Sequence, residues 1–112
     1  MRQITNIAGD PSQRHIIDLE GNEITLDLRF YPTVEQWCFD VTYKTKSVKG
    51  VKLSLGVLHI NNTNLPFDFV VLDLSKTGLD PFKVDDFEIL RCQLYILDPD
   101  DMETIRGVPV EI

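Results

Sequence analysis

The chain has 112 residues, of which 43% are hydrophobic and 26% charged, and its formal net charge at pH 7 is −7. A chain of this length buries roughly two-thirds of the surface that its unfolded form exposes, so we expect one domain spanning residues 1–112. The acidic balance argues against a nucleic-acid partner, and neither a bilayer-spanning apolar run of ~20 residues nor a signal-peptide core is evident, so we expect cytoplasmic synthesis and no membrane partner.

The first third of the chain predicts three strands, at residues 3–7, 13–19 and 23–30. The third strand alternates most clearly, because every second residue is apolar and the residues between are polar. The apolar set is Ile24, Leu26, Leu28 and Phe30. A three-residue loop at 20–22 contains Gly21 and favours an antiparallel hairpin.

Two further strands are predicted on either side of a cluster of lysines. The Tyr31-Pro32 step removes a backbone donor, so we expect the chain to cross there to a new part of the sheet. The strand at 37–43 places Trp37 on its apolar face with three other residues, Phe39, Val41 and Tyr43. Gly50 and Gly56 interrupt the strand predicted at 48–58, which indicates bulges or bends at these positions. This strand completes a meander of three strands.

The charges are unevenly distributed along the chain. Residues 1–67 carry seven acids and seven Lys or Arg, whereas residues 68–112 carry eleven acids and four bases. Four lysines lie between Asp40 and Asp68 with no acid among them, namely Lys44, Lys46, Lys49 and Lys52. They either solvate a hairpin tip and discourage edge pairing, or they contact an acidic partner, such as the acidic half of a neighbouring copy.

The C-terminal half predicts two more strands and a long loop. The strand at 66–72 is apolar on both faces toward its end, so we expect it to be central or clamped between layers. Residues 73–86 carry acids, Gly78 and Pro81 and are expected to form a loop, which at this length is often functional or ordered by a partner. The strand predicted at 87–97 is the longest.

The last residues predict one helical turn and an extended tail. Asp98 is an N-cap candidate, Pro99 follows at the first helical position, and acids fill the first turn to residue 103. In the tail at 107–112 every second residue is apolar, namely Val108, Val110 and Ile112. We expect the tail to pair either with an edge of its own sheet or with a neighbouring protein. The total of seven or eight strands predicts an all-β fold, either a small antiparallel barrel or a sandwich.

The residues that could carry chemistry form no recognisable site. His15 and His59 have no metal-ligand spacing, and Cys38 and Cys92 stand 54 positions apart, so we interpret all four as structural. The acids from Asp98 to Glu103 resemble a calcium loop only in part and fit a helix cap better. No nucleophile, phosphate-loop or dinucleotide motif is present. We therefore expect no enzyme, no cofactor and no metal.

Five segments form a combination that is typical of one family: Ser12-Gln13, the strand at 24–30, Trp37-Cys38-Phe39-Asp40, Val48-Lys49-Gly50-Val51 and Leu55-Gly56. Together they resemble the baseplate plug family of contractile-tailed phages, and the resemblance extends to about residue 100. Tyr31-Pro32-Thr33 departs from the polar break that the family often has before the tryptophan.

The resemblance implies a structural virion protein in the central hub of the tail baseplate. Its partners would be other hub proteins, the tail tube and further copies of itself, and the lysines and the tail would be its candidate contacts. The alternative is a stand-alone β-sheet adaptor for a peptide or a carbohydrate. An exposed groove lined by aromatic residues would favour that alternative.

Overall fold

The computed structural model describes residues 2–19, 21–60 and 65–101, which form seven strands in two antiparallel sheets. The strands are β1 (Arg2–Ile4), β2 (Ser12–Leu19), β3 (Asn22–Tyr31), β4 (Gln36–Tyr43), β5 (Lys46–Lys52), β6 (Asp68–Asp73) and β7 (Cys92–Leu97). One sheet has the order β2-β3-β4-β5 and the other β1-β7-β6. The all-β prediction is confirmed, and because the sheets do not close into a barrel, the fold is sandwich-like.

The four-stranded sheet is a continuous meander, one strand longer than predicted. The predicted crossing after Tyr31 is wrong, because Tyr31 pairs directly with Gln36 and Pro32 lies in the short loop of a β3–β4 hairpin. Pro32 therefore needs no ladder partner, and the missing N–H costs nothing there. Leu19 pairs with Asn22, so the β2–β3 connection is also one residue shorter than predicted.

Strand β5 ends at Lys52, six residues before the predicted end. The next segment leaves this sheet and contacts the other one, where Leu55 forms a parallel bridge with Val71. Gly56 adopts a left-handed conformation with φ of 67° and donates its N–H to the Val71 carbonyl at 3.0 Å. The bend expected at Gly56 is thus the point at which the chain changes sheets.

The three-stranded sheet differs from the prediction in the length of β1 and in the position of β6. Strand β1 stops at Ile4 rather than continuing to residue 7, and β6 lies at an edge because β7 occupies the centre. Of the two alternatives given for β6, only the clamped one holds. Its outward-facing Val70 is buried in a second small apolar cluster with Leu97, against which Leu58 and Tyr95 pack.

The predicted strand at 87–97 is only half formed, and β7 starts at Cys92. Residues 87–91 form turns instead, with hydrogen bonds from the Ile89 N–H to the Asp85 carbonyl and from the Leu90 N–H to the Phe87 carbonyl. Leu90 has φ of 63°, which a strand does not allow. Ile89 and Leu90 are exposed, so the apolar pattern of 87–91 does not mark a strand, and β3 is the longest of the described strands.

The core lies between the two sheets and is rich in aromatic rings. The fully buried Trp37 lies 5.5 Å from the ring of Phe30 and 5.7 Å from that of Phe87, measured between centroids. Phe39 packs edge-on against Phe69 in the same way. Edge-to-face contacts of this kind add to the hydrophobic burial of the rings. The apolar face predicted for the strand at 37–43 thus lies in the core, with Trp37 fully buried.

The helical turn begins as the sequence predicts. Asp98 accepts the N–H of Asp101 at 2.8 Å through its side chain, and Pro99 occupies the first helical position. This is N-cap geometry, in which a carboxylate satisfies a free N–H at the start of a helix. The remainder of the predicted turn and the tail at 107–112 lie outside the described residues. No helix in the described part of the chain has the length and apolarity needed to span a bilayer.

Candidate interaction surfaces

The lysine cluster lies on the β4–β5 hairpin at one edge of the four-stranded sheet. Lys44 occupies the two-residue turn with φ of 55°, and its Nζ lies 5.2 Å from the centroid of the Tyr43 ring. Lys46, Lys49 and Lys52 follow along β5 and are exposed. Because β5 has a sheet partner on one side only, these three lysines line an open edge.

Strand β5 contains the bulge that Gly50 predicts. Lys49 and Gly50 together stand opposite Asp40, since Phe39 pairs with Val51 and Val41 pairs with Val48. The Asp40 carboxylate accepts the Gly50 N–H at 2.8 Å and also binds Arg29 at 2.7 Å. The bulge is thus braced from the neighbouring strand. Its left-handed glycine twists the edge locally, as bulges do.

Charge compensation differs among the four lysines. Lys52 forms an ion pair with Asp80 at 3.3 Å across the gap between hairpin and loop. Among the residues that the structure describes, no carboxylate lies within ion-pair distance of Lys44, Lys46 or Lys49. The outer part of the hairpin therefore carries three positive charges that no described carboxylate compensates, and the inner end is partly neutralised.

The acidic loop between β6 and β7 is organised around Arg91, which is partly buried. Its side chain is 12% exposed and donates to both carboxylate oxygens of Asp86, at 2.9 and 3.0 Å. Further donations reach the carbonyls of Leu79 and Asp80 at 3.2 and 3.0 Å. A bidentate guanidinium–carboxylate pair that also binds loop carbonyls fixes the backbone strongly.

Two aspartates hold the turns within this loop. Asp73 accepts the N–H groups of Ser75 and Gly78, both at 2.9 Å, together with the Thr77 hydroxyl. Asp86 accepts the N–H groups of Phe82 and Lys83 at 2.7 and 2.8 Å. Part of the formal negative charge of the C-terminal half is therefore directed into the protein and is not available to a partner.

The pKa values of these groups follow from their hydrogen bonds. The hydroxyl of Ser75 is the main cause of the lowered pKa of Asp73, assisted by the Thr77 hydroxyl and backbone donors against the effect of burial. Burial alone would raise the pKa of Asp86, but the donors from Arg91 and from the backbone outweigh it and lower the pKa. Both carboxylates are therefore stabilised in their charged form.

A second set of buried polar contacts joins the segment after β5 to β6. His59 accepts the Ser54 N–H through Nε2 at 2.8 Å and donates Nδ1–H to the Phe69 carbonyl at 2.7 Å. Asp68 is fully buried and accepts the N–H groups of Ile60 and Phe69 through Oδ1. These contacts replace a regular ladder at the β6 edge, so His59 is structural, as predicted, although it lies outside any strand.

The remaining candidate ligands also have structural environments. Both cysteines are free, Cys92 at the start of β7 and Cys38 in β4. Burial raises the pKa of the Cys92 thiol to about 12. His15 bonds Gln13 through Nε2 at 2.8 Å, and burial lowers its pKa. Within residues 2–19, 21–60 and 65–101, no three His, Cys, Asp or Glu side chains are close enough to hold a metal ion.

Three of the grooves formed by described residues have few aromatic side chains. The groove of about 640 Å³ opens between residues 3–8 and 87–94, where β1 ends, and Phe87 is its one aromatic residue. A groove of about 360 Å³ separates β1 from residues 15–18 of β2. The third, of about 350 Å³, has Phe82 as its one aromatic. These grooves do not supply the aromatic-lined site that the adaptor alternative requires.

Sequence reasoning placed the lysines together correctly and missed two other features. Arg91 was assigned to a strand, so its role in holding the loop was missed. The spacing of acid and hydroxyl side chains in Asp73-Leu74-Ser75-Lys76-Thr77-Gly78 is the one sequence signal of a loop held by its own side chains. The second missed feature is the free edge of β2, which no motif marks. The tail residues proposed as contacts, Val108, Val110 and Ile112, lie outside the described residues.

The fold is that of a small β-sandwich protein. Its exposed features are sheet edges and a charged hairpin, and such features bind other macromolecules. A comparison with curated proteins found no match. A comparison with family models matched residues 1–100 to the family described as cyanophage baseplate Pam3 plug gp18. The chain belongs to this baseplate plug family, and its role is that of a structural component of the phage tail baseplate.

Proposed function

We propose that the protein is a plug subunit in the central hub of a contractile phage tail baseplate, where it packs against hub proteins and the end of the tail tube. It would be made in the host cytoplasm and act by protein–protein assembly, without catalysis and without a cofactor. The observation that carries the proposal is the family match over residues 1–100. The rigidly held sandwich and its open, charged β5 edge support it.

The β4–β5 hairpin is the contact that we propose for an acidic hub or tube surface. Lys44, Lys46 and Lys49 are exposed and uncompensated by any described carboxylate, and the braced bulge holds β5 in a defined shape. Exposed charge pairs contribute only ~0–1 kcal/mol each, so these lysines would set orientation and association rate more than affinity.

The tail supplies the second proposed contact. Val108, Val110 and Ile112 alternate with Pro109 and Glu111, and such a segment can add a strand to a partner's open edge through main-chain hydrogen bonds. Deletion of residues 107–112 should leave the unfolding midpoint unchanged, because the core strands that the structure describes all lie before residue 98. The deletion should weaken co-assembly with hub proteins. A truncated chain that unfolds earlier but assembles normally would show that the tail serves the core instead.

The hub placement is tested by mixing the purified chain with the other tail proteins of its source and measuring light scattering. Lys49→Glu should slow association, whereas Lys76→Glu makes the same charge change at an exposed position outside the hairpin, in the loop between β6 and β7, and should not. Association should also weaken between roughly 50 and 500 mM salt, where the Debye length falls several-fold. Equal effects of the two variants would exclude the hairpin as the contact, and failure to bind any tail protein would overturn the hub placement.

A further inference from the structure

Among the strands that the structure describes, β2 has a partner on one side only. This open edge is self-complementary, and we propose that it pairs antiparallel with β2 of a second copy of this chain. The inference concerns the chain before it meets any baseplate protein and does not depend on the hub placement. It rests on which backbone groups face the edge, on the order of side chains along β2, and on the groove beside the strand.

The direction of the backbone groups follows from two hydrogen bonds. Phe30 donates its N–H to the Pro11 carbonyl at 2.8 Å, so the even-numbered residues of β3 direct their backbone groups toward β2. Their register partners in β2 are odd-numbered, for example Ile17 opposite Ile24. Because backbone groups alternate along a strand, the even-numbered residues of β2 direct theirs to the open side. The Asp18 carbonyl confirms this, since it accepts a bond from the Arg2 side chain at 2.8 Å.

The side chains of the same even-numbered residues are complementary to those of a second, antiparallel copy of β2. Arg14, Ile16 and Asp18 are exposed on the outer face of the sheet. In an antiparallel pairing centred on Ile16, each Ile16 lies opposite the other and each Arg14 lies opposite Asp18 of the second copy. These are the residues whose N–H and C=O groups face the open side, so backbone pairing and side-chain matching require the same register. Cross-strand apolar and opposite-charge pairs of this kind stabilise sheets.

The surroundings of the edge leave room for a second strand. Ile16 is 64% exposed, which makes it the most exposed large hydrophobic residue among those described. The groove of about 360 Å³ runs beside His15–Asp18 on the side of β1. Arg2, which now covers the Asp18 carbonyl, is exposed and can withdraw.

The opposite edge of the sheet, β5, is unsuited to the same kind of pairing. It carries three lysines, which would face those of the second copy and repel them. Pairing through β2 would be an isologous two-fold contact, with the sheet continued across the dimer.

A charge-exchange experiment on the full chain tests the proposal by sedimentation as a function of concentration. The unaltered chain should show a monomer–dimer equilibrium, and Asp18→Arg should weaken dimerisation about tenfold because two opposite-charge pairs become like pairs. Arg14→Asp should have a similar effect. A mixture of the two single variants should form heterodimers, since each Arg then meets an Asp, and the double variant Arg14→Asp/Asp18→Arg should again dimerise alone.

Two further variants test whether a loss of the dimer comes from the β2 contact and not from unfolding or from a general change of charge. Ile16→Lys removes the central contact at an exposed position, so it should abolish the dimer while leaving the unfolding midpoint within error of the original. Lys49→Glu changes a charge at the β5 edge and should leave the dimer intact. A chain that stays monomeric at all concentrations, a dimer that resists Ile16→Lys, or an absence of rescue in the mixture would each overturn the pairing through β2.

Discussion

Replacing Arg91 by methionine tests whether the loop between β6 and β7 is part of the stable fold. The change removes the guanidinium that binds Asp86 and two loop carbonyls, and it leaves a fully buried carboxylate without its counter-charge. Breaking a buried ion pair by removing one partner costs ~3–5 kcal/mol. In a domain of this size that loss lowers the thermal midpoint by roughly 10–25 °C.

The assay is urea unfolding followed by far-UV circular dichroism, with Arg14→Met as the matched control. Arg14 also pairs with an aspartate, Asp27, at 2.7 Å, but its side chain is 66% exposed, and solvent screening makes the contribution of such a pair to stability small. Arg91→Lys keeps the charge and loses the two-pronged geometry, so its stability should fall between those of the original chain and Arg91→Met. Equal costs for Arg91→Met and Arg14→Met would refute the view that Arg91 organises the loop.

Three other outcomes follow from single residues. Trp37→Ala should cost ~3–5 kcal/mol because the indole is fully buried, and an unchanged urea midpoint would contradict the anchor role. His15 has a lowered pKa in the fold, so the unfolded chain binds more protons as pH falls through about 6.5, and stability should decrease below that pH. His15→Gln should reduce this loss, as measured by urea midpoints at successive pH values; an identical pH profile would exclude His15 as its source. Cys92 should resist alkylation in the native protein at mildly alkaline pH while the half-buried Cys38 reacts first, because burial raises the pKa of Cys92 to about 12. Equal labelling rates, read by mass spectrometry, would refute that order.

Alternation of apolar residues predicted the four-stranded sheet well. Strands β2, β3 and β4 lie within two residues of their expected ends, because each has one face in the core and one in solvent and the period of two is therefore visible. Gly50 also marked its bulge correctly. Pro32 was misinterpreted, because a proline in a tight hairpin loop and a proline at a crossing have the same local sequence.

The other sheet was harder to predict because its boundaries depend on distant contacts. Residues 87–91 alternate like a strand, but the buried pair of Asp86 and Arg91 holds them in turns, and that pairing has no sequence motif. The lysine cluster was predicted as a group, whereas the ion pair of Lys52 with Asp80 depends on how the loop folds back onto the hairpin. The free β2 edge follows from strand order, which sequence periodicity alone does not determine.

The environment of Trp37 gives the protein a built-in optical reporter. It is the single tryptophan of the chain, and its indole Nε1–H donates to the Lys83 carbonyl of the long loop at 2.9 Å, across 46 positions of sequence. Its emission should therefore be blue-shifted while the loop is docked and should move to longer wavelength when the loop departs and water reaches the ring. Binding of a baseplate partner that displaces this loop can then be followed in the unlabelled protein by fluorescence, in real time and at low concentration.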